Sequence, residues 1–230
     1  MATTICCLLY GSYTKLADRC LRPISELYNN GVEVRLGCNE TSQETDELIS
    51  QLFPASDRLI IRRHNPQIYK YPVMRELFNA RPITTDKVMW FDDDSYIKDT
   101  NPIGWLNSTQ EFMNNNKADM IGSLYYMPVL HKQQQWRRLH CSWFKPELHR
   151  SKACFATGGW WTLKSEVITK YDWPHPMLKH RGGDVLLGEL MHHAGLKLVK
   201  YNTGVGINSD SEGKESQSKR RGYDEPPIGS

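Results

Sequence analysis

Val88-Met89-Trp90-Phe91-Asp92-Asp93-Asp94-Ser95-Tyr96-Ile97 joins an apolar run directly to three consecutive carboxylates. The apolar part reads as a buried strand, and the carboxylates fall where that strand must end. Carboxylates gather in this way when a hard divalent cation has to be held by oxygen. In an extended backbone successive side chains alternate faces, so Asp92 and Asp94 point one way and Asp93 the other. One Mg²⁺ or Mn²⁺ would then have two protein ligands and open positions for water or phosphate. A turn that only caps the next element uses the same residues, so this run by itself leaves both readings open.

Working outward, the chain alternates strands with helices. Thr3 to Tyr10 is a strand, Leu16 to Tyr28 a helix with Leu16, Cys20, Ile24 and Leu27 on one face, and Val32 to Gly37 a second strand. Ser42 to Phe53 is a helix with a Thr/Ser cap and acid in its first turn. Arg58 to Arg63 is a third strand and Pro72 to Asn79 a helix, and the triple-Asp strand follows. Further on come a helix over 107–116, a strand over 119–126 and a polar-aromatic segment from Pro128 to Arg150. A strand over 155–163, interrupted by Gly158-Gly159, is followed by a helix over 186–195 and a strand over 197–201. This order predicts an α/β fold with a mostly parallel central sheet flanked by helices, in a single domain. In such sheets ligands bind beyond the carboxyl ends of the strands, where Asp92 to Asp94 fall.

The composition, 39% hydrophobic and 24% charged over 230 residues, is that of a globular chain with a real core. No apolar stretch reaches membrane-spanning length, and the apolar start lacks a basic leader region. The six cysteines show no C-x-x-C spacing, so reduced thiols and a cytoplasmic location are expected. The net charge of +3 is too mild to indicate nucleic acid, so local patches decide. From about residue 209 the chain is rich in Ser, Glu, Lys, Gly and Pro, which buries little apolar surface. The expected division is therefore a domain over 1–208 and a tail over 209–230.

Three segments together resemble one family. Trp90-Phe91-Asp92-Asp93-Asp94-Ser95-Tyr96 is similar to the metal-binding D-x-D region of GT-A-fold glycosyltransferases, in the triple-Asp form of the fringe and beta-1,3-galactosyltransferase group. Ala156-Thr157-Gly158-Gly159-Trp160-Trp161-Thr162-Leu163 resembles that group's glycine-rich strand beside the donor and acceptor. Gly183-Asp184-Val185-Leu186-Leu187-Gly188-Glu189-Leu190 resembles its E-D-V-x-x-G segment. The resemblance covers residues 85–200 and implies a GT-A (Rossmann-like) fold and transfer of a sugar from a nucleotide sugar, a UDP-sugar, to an acceptor hydroxyl, with inversion. It further implies Mn²⁺ or Mg²⁺ on Asp92 and Asp94, with Asp92 and Asp93 also at the donor, and Asp184 as catalytic base. Gly158, Gly159 and Trp160 would line the donor.

The pattern departs from the family in three ways. Gly183 stands where an acid is usual. The family's C-terminal His ligand is missing, leaving Asp210, Asn208 or water to complete the metal shell. A Golgi anchor and lumenal disulfides are absent from the pattern, which points to a bacterial or phage relative and, if viral, to the host cytoplasm.

Departure of a diphosphate calls for positive charge. Arg62, Lys70 and Arg75, or Arg220 and Arg221 in the tail, are the candidates, with the tail as a lid over the donor. Each of these cations taken singly reads more readily as a solvated surface charge. Asp184 can serve as base or as N-cap of the helix that follows it, and Glu189 can contact donor hydroxyls. His192 and His193 diverge on a helix and do not share an ion. Between Lys132 and Lys152, Arg137, Arg138, Lys145 and Arg150 interleave with Trp136, Trp143 and Phe144. Such a patch suits DNA with an extruded base, which makes a hydroxymethylated base in phage DNA one acceptor. A glycan or small-molecule acceptor, or a purely structural insertion, is the alternative. Two other classes remain open: a metal-dependent phospho- or nucleotidyltransferase and a non-catalytic sugar-nucleotide-binding module.

Overall fold

A computed structural model describes residues 2–180 and 182–207 of the chain. Strands β1 (Thr3–Tyr10), β2 (Glu33–Asn39), β3 (Leu59–His64) and β4 (Lys87–Asp92) run parallel. They are linked by helices α1 (Thr14–Asn29), α2 (Gln43–Leu52) and α3 (Lys70–Asn79). After a two-residue strand β5 (Tyr96–Ile97) come α4 (Pro102–Asn115), β6 (Met120–Pro128), α5 (His131–His140) and the long β7 (Lys152–Lys164). The described chain ends with α6 (Ser165–Tyr171), α7 (Gly183–His193), β8 (Leu198–Lys200) and β9 (Val205–Gly206). Seven strands form one sheet in the order β3-β2-β1-β4-β7-β6-β8, with β7 antiparallel to both neighbours; β5 and β9 pair separately.

The continuous apolar run of β1 follows from burial on both faces, as expected of a parallel strand. Ile5, Cys7 and Leu9 face a cluster with α1, α2 and α4. Cys6 and Leu8 face the opposite cluster with α3, α6 and α7. Cys6 and Cys7 are fully buried within the strand and act as small hydrophobes. Among the described residues no helix is long and apolar enough to cross a membrane.

The polar segment 128–150 contains α5, which hydrophobic periodicity does not reveal. Its buried positions are Gln133 and Arg137, so no apolar stripe marks the inner face. Helix α3 begins at Lys70, ahead of Pro72, because proline is tolerated in a first turn. Its far end is fixed by Arg35, fully buried on β2, whose Nη1 donates to the carbonyls of Leu77 (2.6 Å) and Phe78 (3.3 Å). A cation on the last carbonyls of a helix is favourable on both hydrogen-bonding and dipole grounds. Anchored there, α3 holds its other end, with Lys70, against the carboxyl edge of the sheet.

Candidate active site

Strand β4 ends at Asp92, and Asp93-Asp94 form a tight turn in which Ser95 N–H donates to the Asp92 carbonyl at 2.9 Å. The strand alternation expected for Asp92 and Asp94 therefore does not extend through the cluster: a turn, not an extended backbone, sets their directions. All three carboxylates still sit at the strand's carboxyl end. Asp93 and Asp94 are 4% and 8% exposed, so they are not a solvated acidic loop. Backbone Tyr10 N–H donates to Asp93 at 3.3 Å. Both Asp92 oxygens are engaged, Oδ2 by Lys70 Nζ at 2.6 Å and Oδ1 by Trp90 Nε1 at 2.9 Å.

Beyond the Phe91–Trp160 pair, β7 leaves β4 and pairs only with β6. The divergence falls at Gly158-Gly159, and Lys70 Nζ reaches through it to the Gly158 carbonyl at 2.6 Å. Lys70 thus bridges Asp92 to β7. A Cβ built on Gly158 would stand 3.0 Å from Lys70 Nζ and 3.9 Å from Asp184 Oδ2. The three segments singled out in the sequence therefore meet at one place, although Asp92 and Asp184 are 92 positions apart.

Asp184 lies in the first turn of α7, where its Oδ1 accepts from Val185 N–H at 2.9 Å. The N-cap itself is Gly182, at φ +75°. Burial raises the Asp184 carboxyl above the usual carboxylate range, opposed chiefly by the Lys70 charge. The helix is pressed onto β7 at Gly188, where a Cβ would meet the Cys154 carbonyl at 2.3 Å. Gly183 has an equally direct cause: a Cβ there would sit 2.1 Å from Tyr71 Cζ, so the acid usual in the resembling group has no room. Gly183→Ala is expected to cost about 1–3 kcal/mol by overpacking. Urea unfolding checks this, and an unchanged midpoint would mean that the buried Tyr71 ring yields without penalty.

Beside this cluster, at the ends of β1, β2 and β4, lies a recess that opens to solvent. Leu8, Tyr10, Asn39, Tyr69 and Asp93 are among its walls, and Lys70 and Asp92 close one end. Sequence reading passed over Asn39, Gln67 and Tyr69. The available signal was Asn39's position at the carboxyl end of a parallel strand. Tyr69 holds φ +68°, a conformation costing about 1–3 kcal/mol for a non-glycine residue. It is held by bonds on both sides, Ile68 N–H to Asn39 Oδ1 (3.0 Å) and Tyr71 N–H to the Lys179 carbonyl (2.9 Å).

Other expected site residues go elsewhere. Trp160 is fully buried against Phe91, Trp105 and Tyr201, which corrects its assignment to the donor. Trp161 stacks on Trp90 on the opposite face, so both tryptophans are core. Arg75 is committed to the Pro174 carbonyl at 2.7 Å and to Asp172 at 2.8 Å, and so anchors the loop after α6. Arg62 is exposed on the edge strand β3 and does not line the recess. Glu189 is 2% exposed and bound to Arg137 (3.2 Å) and Arg150 (2.9 Å), too deep for donor hydroxyls. His193 packs against Phe144 and accepts from Lys145 N–H at 3.0 Å, while His192 bonds the Leu148 carbonyl. Asp210, Asn208, Arg220 and Arg221 lie outside the described residues.

Among the described residues no three His, Cys, Asp or Glu side chains gather in metal-holding geometry. The carboxylates of a single turn nevertheless suit Mg²⁺ or Mn²⁺, which take one or two carboxylates and complete their shell with phosphate and water.

No protein-family model and no curated protein matches the sequence. Solved structures do match in fold. The mannosyltransferase PcManGT from Pyrobaculum calidifontis, in complex with GDP-Man and Mn²⁺, superposes with a TM-score of 0.58 at 13% identity over 86% of this chain. S. aureus TarS 1-349 gives 0.55 at 12% over 88%, and its complex with UDP-GlcNAc 0.55 at 11% over 88%. The chain spans 54% to 58% of the length of these proteins. At such identities the likeness speaks for architecture: this chain has the α/β fold of GT-A-type glycosyltransferases, a mostly parallel seven-stranded sheet flanked by helices.

Proposed function

We propose that the chain is a metal-dependent glycosyltransferase that moves a sugar from a nucleotide sugar, a UDP-sugar, to an acceptor hydroxyl. The observation that carries the reading is the meeting of Lys70, Asp92, Gly158 and Asp184 beside a recess at the carboxyl end of the sheet. The recess takes the nucleoside, with Asp93 toward the ribose. Lys70 and the Asp92–Asp94 turn face the diphosphate, and Gly158, between Lys70 and Asp184, lies on the side of the sugar. Asp94, with Asp92 beside it, would be the main protein ligand of a divalent ion. Mn²⁺ or Mg²⁺ held there would supply positive charge to the leaving diphosphate. Asp184 takes the acceptor's proton as that oxygen bonds the anomeric carbon and the bond to the diphosphate breaks, with inversion.

A panel of nucleotide sugars incubated with the chain and Mn²⁺ is expected to release nucleoside diphosphate. Asp94→Ala, or chelation of the ion, is expected to lower release about 100-fold or more. Release that neither treatment affects would remove the metal from the mechanism. The kinship with the fringe group and a bacterial or phage origin rest on the residue pattern alone. Support for duplex DNA as acceptor is weaker than the sequence suggested, because Arg137 and Arg150 are spent on Glu189. Lys132, Arg138, Lys145 and Lys152 remain exposed, so binding to hydroxymethylated DNA across a salt series tests that acceptor against a glycan or small molecule.

A further inference from the structure

The segment between β6 and β7 presents a surface unlike the rest of the molecule. Among the described residues seven large hydrophobic side chains are exposed, and four of them, Leu130, Leu139, Leu148 and Met177, border α5. Helical spacing explains the layout. Gln133 and Arg137 face inward, so Lys132, Gln135 and Leu139 share the outward face, with Arg138 beside them. Leu139 is 75% exposed there, and Leu130 stands at the helix's entry. Along one flank runs the loop of Met177, where His175 Nε2 donates to the His140 carbonyl at 3.3 Å and the His175 ring packs on Trp136. Along the other flank lies Leu148, whose neighbour His149 is bonded to Gln134. The charge of this surface is one-sided. Lys132, Arg138, Lys145 and Lys152 are exposed, and none forms an ion pair among the described residues. Glu147 is the only acid between positions 128 and 152.

We infer that the outer face of α5, with its two flanking loops, docks on an anionic membrane surface. A bilayer interface answers both halves of the composition at once. Its headgroups attract the cations that the fold leaves unmatched, and its acyl boundary receives the leucines and the methionine. Duplex DNA would answer only the charges, because phosphates offer nothing to a leucine as exposed as Leu139. Each cation held near an anionic surface raises affinity about fivefold, and the apolar side chains add to this without any spanning segment. Docking here uses none of the residues around Asp92 and Asp184, so it holds or fails separately from the transferase reading. The two are nevertheless mechanically joined, since Arg137 on the inner face of α5 binds Glu189, on the helix of Asp184, at 3.2 Å.

Co-sedimentation of the full chain with lipid vesicles is the test. At low salt the chain is expected to bind vesicles of phosphatidylcholine and phosphatidylglycerol in equal parts, and not vesicles of phosphatidylcholine alone. Lys132→Ser combined with Arg138→Ser is expected to weaken that binding about tenfold or more. Leu139→Ser is expected to weaken it about fivefold, from apolar area no longer taken out of water. All three positions are exposed, so the urea midpoint should stay with the parent's, and a folding defect would be separately visible. Lys219, Arg220 and Arg221 carry charge elsewhere in the chain, so the variants, and not binding alone, assign the surface. No binding to the mixed vesicles, or binding that neither variant weakens, would overturn docking through α5. Binding that only the charge variant weakens would overturn the membrane in favour of a general polyanion site, which a matching affinity for duplex DNA would identify.

Discussion

Asp184→Asn is expected to lower the rate of sugar transfer by about 10²–10⁴-fold, the usual contribution of a positioned general base. The substitution is nearly isosteric, and the amide oxygen can still accept the Val185 N–H that orients the side chain. Donor affinity and thermal stability should therefore stay close to the parent, which separates loss of the base from loss of fold. Steady-state kinetics with saturating donor is the measurement, and a rate within a few-fold of the parent would place the base elsewhere. The pH profile adds an independent reading. Burial raises the Asp184 carboxyl, and the Lys70 charge pulls it back. The active form is the carboxylate, so activity falls as pH drops through a value above the ordinary one for aspartate. In Lys70→Met the opposing charge is gone, and the acid limb should move to higher pH. An acid limb that stays in place would mean that Asp184 and Lys70 are not electrostatically coupled.

The second large effect lies in stability. Glu189→Ala leaves Arg137, 2% exposed, without its carboxylate, and breaking a buried pair by removing one partner costs about 3–5 kcal/mol. Chemical unfolding of Glu189→Ala, Arg137→Met and the double variant measures it. The double variant should lose less than the sum of the singles, because the uncompensated charge disappears with its partner. Strict additivity would show that the two residues do not act as a pair. Burial pushes the Glu189 carboxyl up, but His193, Arg137 and Arg150 outweigh it, and the net shift is downward. Its contribution is accordingly complete above the unfolded-state carboxylate range and is lost as pH falls through the lowered folded value. The consequence reaches the site, because Glu189 ties α5 and Arg150 to the same helix that carries Asp184.

Most of the sheet was readable along the chain, because a strand covered on both faces leaves an apolar run and a helix covered on one leaves a stripe. Strands β1 to β4, with α1 to α3 between them, show this. Helix α5 was not readable, since its inner face is Gln133 and Arg137 and its partner Glu189 is remote in sequence. Trp160 was misassigned for a related reason. Alternation showed that Trp160 and Trp161 face opposite ways, and nothing local told that each face is covered, one by Trp105 and the other by Trp90.

The sequence by itself determined that carboxylates would stand at the end of a buried strand in an α/β sheet, since strand period and strand end are local properties. It also marked Gly158-Gly159 and Asp184 as unusual. Only the tertiary structure decided that these places are one place. Lys70 bonds Asp92 and Gly158 because Arg35 anchors the far end of its helix and because β7 leaves β4 at that glycine pair. The same holds for Asn39, an unremarkable strand-end residue until the Ile68 N–H takes its oxygen and leaves its nitrogen buried without a hydrogen-bond partner among the described residues. Which polar atoms remain unsatisfied is a property of the assembled fold, because each is settled by partners that lie far away along the chain.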